Sequence, residues 1–183
     1  MSIITKSTAA YLAAAVAGLA LSVSAVAEEK TYGFGAPIEE GELDHFVSPL
    51  PDGRGLPEGS GTVMQGKEIY TQHCMACHGV DLEGGIGDRL IGGTGSLVRG
   101  DGDWKPVKTV ESYWPYATTL FDYVKRTMPF LQPGSLSNDE VYAVSAYILH
   151  RANIVDADME LSNENLAQIK MPNHDNFYPS DRE

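Results

Sequence analysis

Cysteine is scarce in this chain. Only two occur among 183 residues, Cys74 and Cys77, so a zinc site made from two cysteine or histidine pairs has no second pair to draw on. Positive charge is scarce as well. Thirteen Lys and Arg face 25 Asp and Glu, for a formal charge of −12, which argues against nucleic acid or an anionic membrane surface as a partner. Internal repeats, a Ser/His/Asp arrangement, a phosphate loop and a second metal motif are all missing. Long apolar runs are confined to the N-terminus, and no later stretch is long or apolar enough to span a bilayer.

That N-terminal run reads as a secretory signal. Lys6 supplies a short positive region, Ala9 to Val26 an apolar stretch, and Ala25-Val26-Ala27 a small-residue cleavage site. As an uncleaved anchor the run is of borderline length and rich in weakly apolar alanine, so cleavage after Ala27 and a periplasmic mature protein are expected. Without Lys6, the mature chain has 12 bases against 25 acids, a formal charge of −13. The acidity lies in the flanks. Residues 62–152 hold ten acids and eight bases, whereas 28–61 hold eight and two, and 153–183 seven and two. Four segments follow: a signal (1–27), an extended N-terminal arm (28–61), a central domain (62–152) and a polar C-terminal tail (153–183).

The two cysteines sit three apart with a histidine directly behind, as Cys74-Met75-Ala76-Cys77-His78. C-x-x-C alone also serves thiol–disulfide exchange. With the histidine and an export signal, it becomes the attachment signature of one covalent haem c. Two thioethers tether the porphyrin, and His78 lies beneath the iron as the proximal ligand.

The flanking pattern is helical. Thr62 is placed to cap a helix running to His73, with Val63, Gly66, Ile69, Tyr70 and His73 on helical spacing. Gly66 costs stability inside a helix relative to alanine, and close approach by another helix would account for it. Residues 79–102 are glycine-rich loop. A short helix over 118–126 turns Leu120, Phe121 and Val124 inward and stops ahead of Met128-Pro129. Ser137-Asn138-Asp139-Glu140 is a capping box. It opens the strongest helix, 138 to about 151, with Val141, Val144, Ile148 and Arg151 on one stripe beside Ala143 and Tyr147. Ser162 is placed to cap a short helix through Ile169, ended by Met171-Pro172. The rest reads as a loose or surface-wrapped tail.

The sixth iron position needs a donor on the opposite face. Met128 is the choice: it follows His78 by 50 residues and lies at a helix end, and its soft thioether stabilises ferrous iron. Met171 is its best rival, since it also precedes proline. Met75 is trapped in the tether and Met64 belongs to the first helix. His45, His150 and His174 read as surface residues. Trp104, Tyr113, Trp114 and Tyr116 form an aromatic segment suited to a haem edge or to ordinary core. Arg89, Lys105 and Lys108 are candidates for propionate pairing, and Lys125 and Arg126 for a small basic docking rim.

The order of helix, C-x-x-C-H, glycine loop, short helix, Met-Pro and capped helix resembles the class I cytochrome c fold over 62–152. The resemblance implies an all-α domain whose first and last helices cross around a covalent haem, with Gly66 meeting Tyr147. It also implies that the His78 imidazole donates to a carbonyl at a G-P-x-L stretch, which here reads Gly87-Asp88-Arg89-Leu90 with Asp88 in place of proline.

Longer strings are more specific. Tyr32-Gly33-Phe34-Gly35, Asp52-Gly53-Arg54-Gly55-Leu56-Pro57, Ser112-Tyr113-Trp114-Pro115-Tyr116-Ala117 and Lys170-Met171-Pro172-Asn173 resemble the cytochrome subunits of periplasmic sulfur-oxidising enzymes. Among those, the resemblance is to sulfane dehydrogenase of the Sox pathway and to sulfite dehydrogenases. It implies a chain that takes single electrons from a molybdenum-containing sulfur dehydrogenase subunit and hands them to a downstream cytochrome or oxidase, without catalysis of its own. Sulfane dehydrogenase cytochromes often carry two haem domains, and this chain has one C-x-x-C-H. The alternatives are a five-coordinate haem protein acting as gas sensor or small enzyme, and an electron carrier for an unrelated dehydrogenase.

Overall fold

The computed structural model describes residues 35–42, 48–98, 102–103 and 105–177. The signal segment, His45 and Trp104 lie outside the described residues. The chain divides into two compact units, Met1–Glu39 and Glu40–Glu183, and all elements below belong to the second.

The unit is mostly helical. β1 (Ser60–Thr62) leads directly into α1 (Val63–His73), and a single helical turn, α2 (Met75–His78), follows. After a long loop come α3 (Ala117–Thr127) and α4 (Asn138–Arg151), then β2 (Glu160–Ser162) and two short 3-10 turns, Leu166–Gln168 and His174–Asn176. β1 and β2 pair antiparallel, with Gly61 opposite Leu161. This ribbon is the departure from an all-α reading among the described residues.

Both long-range helix starts are set by local chemistry. Thr62 accepts from the Gln65 amide while the Gln65 side chain receives the Thr62 N–H, and Ser137 and Glu140 repeat the device at α4. Each box satisfies amides that a helix N-terminus otherwise leaves unpaired. α3 ends at Met128, whose N–H bonds to the Val124 carbonyl.

α1 packs on α4 through glycine. A Cβ built on Gly66 would stand 1.8 Å from the Ala143 carbonyl oxygen and 2.8 Å from Tyr147 Cβ. No side chain fits there, so the helix-propensity cost of glycine is exchanged for backbone contact. Gly61 of β1 makes a similar approach: a Cβ built on it would collide with the Ala143 backbone. The Tyr70 and Tyr147 rings meet at 5.3 Å beside this contact.

α4 is buried on every side from Val141 to Leu149, although its sequence shows one apolar stripe. The flanks supply the extra cover. Tyr142, fully buried, donates its hydroxyl to the Pro57 carbonyl at 2.8 Å, and burial raises its pKa to about 12. Asp139 accepts from the Ser60 amide, and Asn138 donates to the Glu58 carbonyl.

The segment after Val155 departs from expectation. In place of a helix over 162–169 there is a strand, an Asn165-stabilised turn and one 3-10 turn. Nor does the segment lie loosely up to residue 173: Leu161 and Leu166 are fully buried, Met171 is 1% exposed, and buried Asn173 donates to the Tyr113 carbonyl at 2.6 Å.

Candidate haem site

The C-x-x-C-H motif occupies one turn. Cys74 closes α1 and opens α2 at once: its N–H bonds to the Tyr70 carbonyl, and its own carbonyl accepts from Cys77 and His78. The turn places Cys74, Cys77 and His78 on one short segment. Cys74 is half-buried and Cys77 exposed. Burial, aided by the neighbouring Cys77, pushes the Cys74 thiol up to about 11, so as a free thiol it stays protonated and uncharged at neutral pH.

The loop behind the motif folds back onto the histidine. His78 Nδ1 lies 2.6 Å from the Asp88 carbonyl oxygen. A carbonyl only accepts, so Nδ1 carries a proton, which in the neutral imidazole leaves Nε2 with its lone pair. The residue that replaces the proline of G-P-x-L thus serves through its backbone. Gly87 makes room: a Cβ there would sit 2.9 Å from His78 Cε1. The same loop is pinned by Gly87 N–H to the Cys77 carbonyl, Gly84 N–H to the His78 carbonyl and Leu90 N–H to the Leu82 carbonyl, with Leu82 fully buried. Tyr70 donates to the Gly79 carbonyl at 2.7 Å. Burial raises its hydroxyl pKa well above the ordinary tyrosine value. Arg151 reaches the loop from α4, bonding the Tyr147 hydroxyl at 2.9 Å and Asp81 at 3.0 Å.

Met128 is half-buried against the core at the end of α3. Met171 is enclosed in the core. Trp114 is half-buried, and its ring meets Tyr123 in a tilted contact at 5.6 Å. Tyr116 and Tyr113 turn instead to the trailing segment, where their rings meet His174 and Phe177 at 5.5 and 5.6 Å. Arg89 is exposed and its Nε donates to the Glu83 carbonyl. Lys108 lies over the Tyr113 ring. His150 bonds the Val155 carbonyl, and His174 pairs with Asp175. Of the two cations expected at a basic rim, the Lys125 ammonium donates to the Leu136 carbonyl at 2.7 Å, and Arg126 pairs with Asp122. The Lys125 acceptor could not be read from local sequence, because it is a backbone oxygen across a loop.

The residues present fit a haem. Two thiols and an imidazole with a free Nε2 share one turn, and half-buried Met75, Leu90, Ile91, Trp114 and Met128 pack around the core. Ile86, Phe130 and Leu131 stand 95%, 78% and 89% exposed in the loops around the motif and after Met128. The Ser145 hydroxyl and one Asp122 oxygen are buried without a partner among the described residues.

Comparison with known proteins agrees with this geometry. Residues 61–148 match the family described as cytochrome c oxidase, cbb3-type, subunit III. The crystal structure of the sulfane dehydrogenase SoxCD from Paracoccus pantotrophus contains a chain 42% identical to this one. It superimposes with a TM-score of 0.74 over 83% of this chain and 74% of that one. Thiosulfate dehydrogenases of Psychrobacter arcticus and Stutzerimonas stutzeri are each 29% identical, over 57% and 50% of this chain. The chain spans only 33% and 28% of their lengths. Among the described residues no helix is long and apolar enough to cross a membrane. The chain belongs to the c-type cytochromes, electron-transfer proteins, and is similar to a chain of the sulfane dehydrogenase SoxCD.

Proposed function

We propose that this chain is a periplasmic, single-haem c-type cytochrome that relays electrons from a molybdenum-containing sulfur-compound dehydrogenase. The observation that carries the reading is the His78 imidazole, hydrogen-bonded through Nδ1 to the Asp88 carbonyl beside two thiols on the same turn. Cys74 and Cys77 are the attachment points, His78 and Met128 the axial ligands, and Trp114 and the partly buried Leu90 and Ile91 the walls. Tyr116 and Arg89 belong to the same rim, Tyr116 by way of the trailing segment it touches. The proposed architecture is the class I one, with α1 and α4 crossing where Gly66 meets Ala143 and Tyr147.

The haem, when bound, supplies a one-electron ferric–ferrous couple. The chain's own residues do the rest. Asp88 holds the imidazole in one tautomer and makes Nε2 a stronger donor. Gly87 lets the loop lie against the ring. The thioether of Met128 stabilises the reduced state relative to a second imidazole. With His78 and Met128 both holding the iron, no position would remain open for substrate, which suits relay rather than catalysis. Converting Cys74 to a thioether also leaves nothing to ionise in its half-buried position.

The likeness to the SoxCD chain, 42% over most of both chains, supports a sulfur dehydrogenase as electron donor, with a downstream cytochrome or oxidase as acceptor. Export and cleavage after Ala27 rest on the A-x-A signal. Pro57, Glu58, Ser60 and the β2 strand lie against α4 on either side of the domain, and a catalytic subunit would contact these flanks alongside the haem edge.

A spectrum tests the ligand set. The oxidised protein is expected to show the weak sulfur-to-iron charge-transfer band, and the reduced protein to leave carbon monoxide unbound. Absence of the band with ready carbon monoxide binding would instead indicate a five-coordinate sensor or enzyme. For the partner, the expected result is co-purification with a molybdenum subunit. Isolation alone from its own host, with no reduction by any sulfur dehydrogenase, would count against the assignment.

A further inference from the structure

The loop that begins at Met128 is held at its ends and little else. Residues 130–135 are exposed, Phe130 and Leu131 almost completely. Its internal backbone bonds are Gln132 N–H to the Pro129 carbonyl and Ser135 N–H to the Gln132 carbonyl. Met128 is fixed at the near end by its N–H to the Val124 carbonyl. At the far end Leu136 is buried, and its carbonyl accepts from Lys125 Nζ at 2.7 Å.

We infer that Lys125 is a positioning residue for Met128, a staple that ties the last turn of α3 to the far end of the methionine loop. Lys125 and Leu136 are 11 residues apart in sequence, so this one contact closes the segment that carries Met128. The donor is charged and half-buried, which makes it stronger than an exposed neutral bond. Its neighbour Arg126 carries the same charge one position on but is paired within α3 to Asp122, so it spans nothing. The two cations therefore separate position from charge. Closing the loop restricts how far Met128 can swing from its place at the end of α3, and so how readily another ligand takes the sixth position.

This inference rests on Met128 as the axial ligand. The test uses the purified haem-containing protein with Lys125→Met, Lys125→Arg, Arg126→Met and Met128→Ala, and imidazole as competing ligand to the ferric form. The unaltered protein is expected to show the sulfur-to-iron band, and Met128→Ala to lose it. Failure of either result would overturn the ligand assignment itself. Given those, Lys125→Met is expected to bind imidazole about tenfold more tightly, the scale set by one hydrogen bond from a charged donor. Its sulfur-to-iron band should weaken and its reduction potential fall. Lys125→Arg, which keeps a charged donor, should recover part of the change, and Arg126→Met should show none. Imidazole affinity and band intensity in Lys125→Met equal to the unaltered protein would overturn the staple. So would an equal effect from Arg126→Met, because that would make it a matter of charge alone. Should Lys125→Met lose its haem on purification, Lys125→Arg alone decides: a band and imidazole affinity shifted partway support the staple, and unshifted values overturn it.

Discussion

The two ends of α1 are closed in opposite ways. At its start, β1, β2 and α4 meet backbone to backbone: Gly61 and Gly66 both press on Ala143, and Tyr142 and Asp139 bond the preceding segment. At its finish comes the His78 turn, and the loop behind that turn, like the Met128 loop, leaves large apolar side chains exposed, with the Asp88 carbonyl set against His78 and the Lys125 ammonium tied to the Leu136 carbonyl. The first region is finished by the polypeptide itself. The second is arranged around a guest. The difference teaches where stability and chemistry reside: substitutions in the first should unfold the protein, and substitutions in the second should alter iron ligation while leaving most of the fold intact.

The largest expected effect breaks that comparison most directly if it fails. Leu166 is fully buried in a segment its sequence marks as polar, so Leu166→Ala should lower the unfolding free energy by about 3 kcal/mol, measured by denaturant titration. A loss near zero would mean the trailing segment is not core. Gly66→Ala comes next. The added methyl meets the Ala143 carbonyl at 1.8 Å. Overpacking costs about 3 kcal/mol against about 1 kcal/mol regained in helix propensity, a net loss of about 2 kcal/mol by the same titration.

Ser137→Ala should cost about 1 kcal/mol through the lost cap, and it carries a pH signature. The hydrogen bonds from the Ser137 backbone and hydroxyl hold the Glu140 carboxyl below its ordinary value. A group with a depressed folded-state pKa stabilises above its unfolded value, and that contribution is lost as pH falls through the folded value. The acid side of the stability curve, recorded by circular dichroism, should therefore flatten in Ser137→Ala while the neutral plateau drops. The smallest stability effect belongs to Gly87→Ala, where the methyl displaces the His78 ring. A loss under about 1 kcal/mol is expected, with a shifted His78 Nδ1–H proton resonance. A large global loss with an unmoved resonance would erase the distinction between the two regions.

Much of this was legible beforehand where local rules act. The Thr62 cap and the Ser137–Glu140 capping box predict their helix starts, Met-Pro predicts the end of α3, and glycine at 66 inside a helix points to the approach that the structure places at Ala143 and Tyr147. The Asp88 carbonyl lies where a G-P-x-L acceptor would, because a backbone oxygen does not depend on the side chain. The trailing segment was not legible. Leu161, Leu166 and Met171 follow neither a 2 nor a 3.6 repeat, and their burial depends on β1 pairing with β2 about 100 residues away. The full burial of α4 was hidden for the same reason, since its polar-looking flank is covered by distant chain. Lys125 read as a surface cation because nothing in its neighbourhood announces an acceptor at Leu136. Tyr116 read equally as haem edge or ordinary core, and its contact with the His174 ring was hidden because that ring lies far along the chain.

The central claim is tested most directly by weighing the mature protein purified from its own host under denaturing conditions. The account predicts a red polypeptide beginning at Glu28 whose mass exceeds that of the bare chain by one haem, and which loses that increment when Cys74 and Cys77 are both replaced by serine. A colourless product with the mass of the unmodified chain would contradict it.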